Sequence, residues 1–250
     1  MLLVSDIHGA SDALARVAAS PEILVVLGDL VNLIDYRTSE GIVADVIGAD
    51  TVGEISRLRA ERRHEEANGV WRSAVRDREV EVHDAIGELM SAEYVEVCAA
   101  LEGTSSYVIY GNADRPPMLA AHLPPTAELL DAETREIEGH IVGFVGGGIP
   151  RIGTSGEVSG SEMREKLNKI GAVDILCTHV PPDVLPLASD VIGRTRKGSP
   201  EILEYLLEYE PQFHYFGDIH QPKATTWRVG NTTCINVGYF RATGRAVRHG

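Results

Sequence analysis

Six short runs, residues 2–4, 23–27, 107–110, 141–145, 175–177 and 213–216, are apolar almost without interruption. An alternating pattern would mark a strand with one wet face. A continuous one marks a strand buried on both faces, as in the sheets of α/β proteins. Each run is followed closely by Gly, Asp, His or Asn. Polar residues at the exit ends of apolar strands are where α/β sheets build ligand sites. The pattern therefore locates the chemistry before any residue is given a role.

Helical patterns lie between the runs. Ser11-Asp12 precedes Leu14 and Val17, and Thr51 with Glu54 has capping-box spacing. Ser199 followed by Pro200 reads as an N-cap with proline at the first helical position, leading into Ile202, Leu203, Leu206 and Leu207. Residues 38–98 stand apart. They are rich in Arg and Glu, lack proline, and carry Ile55, Leu58, Trp71, Val75, Val82, Ile86, Leu89 and Met90 at roughly helical spacing. The spacing predicts one or two long helices inserted between the second and third strands of a single domain, 1–250. The charges Arg57, Arg59, Glu61, Arg62, Arg63, Glu65 and Glu66 read as a solvated helix face. The sharper alternative is a cap or a homodimer contact, with His64 and Trp71 facing a partner or an active-site rim. The triplet Gly146-Gly147-Gly148 lacks the Lys-Ser/Thr ending of a phosphate loop and predicts a tight turn.

Composition narrows the function classes. The 250-residue chain is 44% hydrophobic, enough for a sizeable core. Its net charge of −14 repels nucleic acid and anionic membrane at long range, which argues against a protein that grips long DNA. A local cationic site could still draw in one phosphate. Cys98, Cys177 and Cys234 are odd in number, far apart and free of CxxC spacing, so they read as small buried hydrophobes in a reducing, cytoplasmic protein. No run has the length of a membrane span, and the first residues lack the basic and apolar regions of a signal peptide.

Five sites carry the candidate chemistry: Asp6-Ile7-His8, Gly28-Asp29, Gly111-Asn112-Ala113-Asp114, Thr178-His179, and Gly217-Asp218-Ile219-His220. Any one of them arises easily by chance. All five, each at a strand exit, do not. Residues i and i+2 of an extended strand end point to one side, so Asp6 and His8 can share an ion. Carboxylate with imidazole suits a first-row divalent metal. A carboxylate such as Asp29 can bridge two ions, and two ions held about 3.5–4 Å apart clamp both oxygens of a phosphoryl displacement and supply hydroxide near neutral pH. Asn112 offers a neutral carbonyl oxygen.

The order resembles the pattern D-x-H, G-D, G-N-H-D/E, G-H, G-H-x-H of the calcineurin-like metallophosphoesterases, from Ser5 to His220. Tyr110-Gly111-Asn112, Thr178-His179-Val180-Pro181-Pro182 and Gly198-Ser199 resemble its compact bacterial and archaeal phosphodiesterase branch. The resemblance implies an α/β fold, a two-sheet αββα sandwich with the helical insertion at 38–98. It implies one metal on Asp6, His8, Asp29 and His220, and a second on Asp29, Asn112, His179 and Asp218. The implied activity is hydrolysis of a small phosphate ester, a phosphodiester in preference to a monoester, by a hydroxide bridging the two ions. Mn²⁺ is favoured, with Fe, Mg or Zn as alternatives.

Two positions depart from that pattern. Ala113 stands where the family has its catalytic His, which leaves the departing group without its usual proton donor. Asp218 stands where the first His of G-H-x-H is expected, giving a more oxygen-rich second site. Asn32 stands where an Asp is common. A rival reading takes Ala113 and Asp218 as signs of a protein-binding scaffold on the same fold, with reduced or no catalysis. The retained ligands Asp6, His8, Asp29, Asn112, His179 and His220 speak against it, since unpaired charges at a buried site are costly to keep. Arg115 is a candidate for catalytic phosphate contact through its bidentate guanidinium. Arg194, Arg196 and Lys197 form a small basic cluster, read as a solvated loop or a substrate contact. His64, His83, His122, His140, His214 and His249 lack motif context and read as structural or surface residues.

Overall fold

The computed structural model describes all residues except Tyr36, Ile152, Gly193 and Arg194, so the Arg194 member of the basic cluster lies outside the described residues. Two sheets form the centre. The first holds β1 (Leu2–Val4), β2 (Leu24–Leu27), β3 (Ser106–Ile109) and β4 (Ala127–Leu129) in parallel, with β11 (Val247–Arg248) antiparallel to β1. The second runs β5 (Glu133–Ile137), β6 (His140–Val145), β7 (Ile175–Thr178), β8 (Phe213–Phe216), β10 (Thr232–Asn236) and β9 (Thr226–Val229) across its width. Its four inner strands are parallel and its two edge strands antiparallel.

Strand alternation splits each apolar run between two cores. Leu3, Val25, Leu27 and Ile109 of the first sheet meet Val142, Phe144, Ile175, Cys177 and Tyr215 of the second. The intervening residues Leu2, Val4, Leu24, Val26 and Val108 face α1 (Ser11–Ala18), α2 (Ile42–Ile47) and α5 (Glu79–Ala99). On the far side, Val145, Leu176 and Phe216 face α7 (Gly160–Ile170), α8 (Leu185–Ala188) and α9 (Pro200–Tyr209). The order helix, sheet, sheet, helix is the two-sheet sandwich expected, and burial on both faces explains why these strands read as unbroken apolar runs.

Between β2 and β3 the chain forms α2, α3 (Ala49–Ala60), α4 (His64–Val75) and α5, four helices rather than one or two. The Thr51–Glu54 pair does not cap: α3 begins earlier, after Gly48, which takes φ +91°. Nor does Ser11 cap; it is the first residue of α1. Ser199 does cap α9, accepting from Ile202 N at 3.2 Å. Within the segment, α3 and α4 pack together through Ile55, Leu58 and Ala67 as a satellite cluster. In contrast, α5 gives Val82, Ile86, Met90, Tyr94, Val97 and Cys98 to the main core. The chain is completed by α6 (Pro116–His122) and α10 (Phe240–Thr243). The three cysteines are buried and unpaired, and among the described residues no helix is long and apolar enough to cross a membrane.

Candidate metal centre

The exits of β1, β2 and β3 from one sheet and of β7 and β8 from the other converge on one rim. Their backbone there is not extended. Asp6, His8, Asp29 and Asp218 have φ of 57°, 43°, 54° and 60°, in the left-handed region that costs a side-chain-bearing residue on the order of 1 kcal/mol or more. The i, i+2 argument for Asp6 and His8 is therefore corrected: a tight turn, not a strand end, turns both inward. Two glycines permit the convergence. A β-carbon on Gly111 would lie 2.2 Å from Asp29 Oδ1 and 2.7 Å from His179 Cε1, and one on Gly217 would lie 2.5 Å from Asp6 Oδ2.

Two overlapping donor groups result. Asp6, His8 and His220 form one, Asp6, Asp29 and His179 the other, with the ligand atoms of each within 4.8 Å of one another. His8 Nε2 and His220 Nε2 are 3.3 Å apart, and Asp6 Oδ1 lies 3.8 Å from the first and 3.3 Å from the second. Asp29 reaches both clusters, with Oδ2 3.8 Å from His8 Nε2 and Oδ1 3.5 Å from His179 Nε2. Donors on one ion with bonds near 2.1 Å stand about 3–4 Å apart, so these spacings fit. Asp6 Oδ1 is buried and makes no hydrogen bond, an acceptor left open towards the cluster. Backbone carbonyls set the imidazoles: His8 Nδ1 donates to Val31 O at 3.2 Å and His179 Nδ1 to Leu27 O at 2.7 Å, which turns each Nε2 towards the carboxylates.

Electrostatics follow from burial. Desolvation pushes Asp6 upward, but the facing imidazoles of His220 and His8 outweigh it and hold the carboxyl well below its ordinary range. Asp29 is likewise held at about 2, burial being overcome by His179. His179 rises to about 10, because Asp29 outweighs the burial that would lower it. In this arrangement protons on imidazole balance the carboxylates, and a bound cation would displace them.

Asp114 is buried beneath the site and has both oxygens committed. Asp29 N and Gly111 N donate to Oδ2 at 2.8 Å each, Leu30 N and Tyr94 Oη to Oδ1 at 3.0 Å each. It clamps the Asp29 loop to α5, a positioning role that sequence reasoning did not assign. Burial and the Asp29 charge push it up to about 6. Ala113 N donates to Asp29 Oδ1 at 2.8 Å, and its methyl lines the cleft.

Asp218 belongs to neither donor group, but its Oδ1 lies 4.0 Å from His179 Nε2 and its Oδ2, like Asp6 Oδ1, is buried without a hydrogen bond. The Asn112 side-chain oxygen faces Asp218 Oδ1 at 3.2 Å; with the amide turned over, its nitrogen would donate to that carboxylate and its oxygen would accept from Ala113 N at 3.3 Å. The same Asp218 oxygen holds Lys197 Nζ at 2.6 Å, while Asp218 N donates to Asp6 Oδ2 at 3.1 Å. Arg115 does not line the cleft; its Nη1 lies beside Gly87 of α5. Arg196 pairs with Asp183 at 2.8 Å. Tyr239 stacks on His220 at 3.9 Å with a 2° interplanar angle, and the Arg37 guanidinium lies 5.1 Å from the centre of the Tyr239 ring. Neither contact had a sequence signal. The cleft above the centre is about 480 Å³, the size of a small-molecule site. Ser56, Arg59, Ala60 and His64 from α3 and α4 form one wall, and Arg151, Thr195 and Lys197 line it as well.

An α/β two-sheet sandwich with an Asp/His cluster at its strand exits is thus the class of protein defined. No protein-family model and no curated protein matches the sequence. Among solved structures, one crystal structure aligns with a TM-score of 0.57 at 16% identity, over 96% of this chain and 90% of that one. The crystal structure of TT1561 of Thermus thermophilus aligns with a TM-score of 0.53 at 12% identity, over 98% of this chain and 96% of that one. The likeness is one of fold.

Proposed function

We propose that the cleft hydrolyses a small phosphate ester, a diester in preference to a monoester, with divalent metal as cofactor, as the resemblance to calcineurin-like metallophosphoesterases implies. The observation that carries this reading is the convergence of Asp6, His8, Asp29, His179 and His220 from two sheets, with Asp6, His8 and Asp29 held there on strained backbone. Asp6, His8, Asp29 and His220 are the residues that would hold the ion, with His179 extending the set. Carboxylate with imidazole suits a first-row divalent cation, which would supply Lewis acidity and hydroxide near neutral pH.

The chain's own groups do the rest. The carbonyls of Val31 and Leu27 hold His8 and His179 in the ligating tautomer. Asp114 fixes the Asp29 loop. The cleft wall from α3 and α4 limits the substrate to a small molecule. Ala113 donates no proton, which favours esters whose leaving group departs as an anion. The test is metal content after mild purification together with turnover of bis-p-nitrophenyl phosphate. Asp29→Ala is expected to abolish turnover while circular dichroism stays that of the native fold. Near-native turnover in that variant would sink the assignment.

A further inference from the structure

Lys197 is out of keeping with a solvated basic loop. Its ammonium reaches inward to Asp218 Oδ1 at 2.6 Å, and that carboxylate is buried. The backbone on either side is tied down. Lys197 N donates to Ala188 O at 2.8 Å, Ser199 N donates to Pro181 O at 2.9 Å, and Ser189 and Arg196 form an antiparallel bridge. The side chain lines the cleft beside Asn112, Ala113 and Asp218. Asp218 Oδ1 is thereby taken up by an ammonium, with the Asn112 side-chain amide 3.2 Å from the same oxygen. Asp218 joins neither of the two overlapping donor groups, Asp6 with His8 and His220 and Asp6 with Asp29 and His179, and its Oδ1 stands 4.0 Å from His179 Nε2.

We propose that Lys197 is a resident cation at the position expected for a second metal ion, so that the centre takes one divalent ion, on Asp6, His8, His220 and Asp29. The ammonium then supplies the second positive charge facing a phosphate in the cleft, with three N–H donors of which Asp218 takes one. Asp218 in place of an imidazole is the matching half of this arrangement: a carboxylate pairs with an ammonium where a neutral imidazole would not. The inference rests on the metal-dependent reading above.

The test uses the full chain, stripped with chelator and reloaded with Mn²⁺. Ions per chain are counted by equilibrium dialysis with elemental analysis, and electron paramagnetic resonance reports whether bound ions are coupled. The native protein is expected to hold one ion with an uncoupled signal. Lys197→Met is expected to admit a second, coupled ion. Lys197→Arg, which keeps the charge, is expected to hold one. Two coupled ions in the native protein would overturn the role of Lys197 and leave the metal-dependent reading standing. One ion in both native protein and Lys197→Met would overturn it too, because something else would then exclude the second ion. No bound ion in the native protein would remove the metal-dependent reading itself.

Discussion

His214 sits in β8, four positions before Asp218, wholly buried and facing α9 and its neighbours rather than the cleft. Thr178 Oγ1 donates to Val180 O at 2.7 Å, so towards His214 Nε2, 2.8 Å away, it accepts; the ring proton is on Nε2 and buried Nδ1 has no partner. Burial lowers this imidazole from 6.5 to about 3. The sign follows. Below pH 6.5 the unfolded chain binds a proton that the folded chain refuses, so the stability linked to this group is full above that pH and falls as pH falls towards 3. The slope is up to about 1.4 kcal/mol per pH unit. His214→Gln is expected to remove it, measured as urea midpoints against pH in chelator. Equal slopes in both proteins would show the imidazole to be charged in the fold. At this scale the sequence was legible wherever a ligand type stood directly at a strand exit, as with Asp29 and His179. It was not legible where the decisive contact joins distant loops. Lys197 meets Asp218 across 21 positions and Tyr94 meets Asp114 across 20. A lysine in a basic cluster gives no local sign that it turns inward.

The helices between β2 and β3 divide by function. While α5 is part of the main core, α3 and α4 stand on it as a pair and wall the cleft. Ala60, exposed at the end of α3, borders that space. Ala60→Trp is expected to raise KM for bulky diesters by about tenfold, corresponding to roughly 1.4 kcal/mol, and to leave KM for the smallest esters little changed. Equal KM changes across a size series of diesters would remove α3 from the substrate site. The inner strands β1, β2, β3, β6, β7 and β8 were legible because both faces are buried, whereas the inner strand β10 (Thr-Thr-Cys-Ile-Asn) was not, since three of its five residues are polar. Of the strands missed, β5 (Glu-Thr-Arg-Glu-Ile) and β9 (Thr-Trp-Arg-Val) are edge strands with mostly solvated side chains, and β11 has two residues. Polar edges carry little periodicity, and pairing with a neighbour decides them. The four-helix count was lost for a related reason: Gly48 and the Arg62-Arg63 and Asp77-Arg78 corners interrupt the pattern without proline.

Across the whole molecule, the donor set is split between the sheets: Asp6, His8 and Asp29 follow strands of one, His179 and His220 strands of the other. A cation bound there would cross-link the two halves. Mn²⁺ at 100 times its dissociation constant is expected to stabilise the native protein by about 2.7 kcal/mol, read as a rise in the urea midpoint over chelator, and Asp29→Ala should lose most of it. No difference between metal and chelator in the native protein would mean that no ion bridges the sheets. The same split has a meaning in time. His8 and His220 are 212 positions apart. At about 5–20 residues per second, synthesis of that interval takes roughly 10–40 s, during which Asp6, His8 and Asp29 exist without the residues that close the cluster. The nascent chain therefore has no complete grip on any ion, and a metal held by this cluster would be chosen afterwards, by the finished protein, from whatever pool surrounds it at that moment.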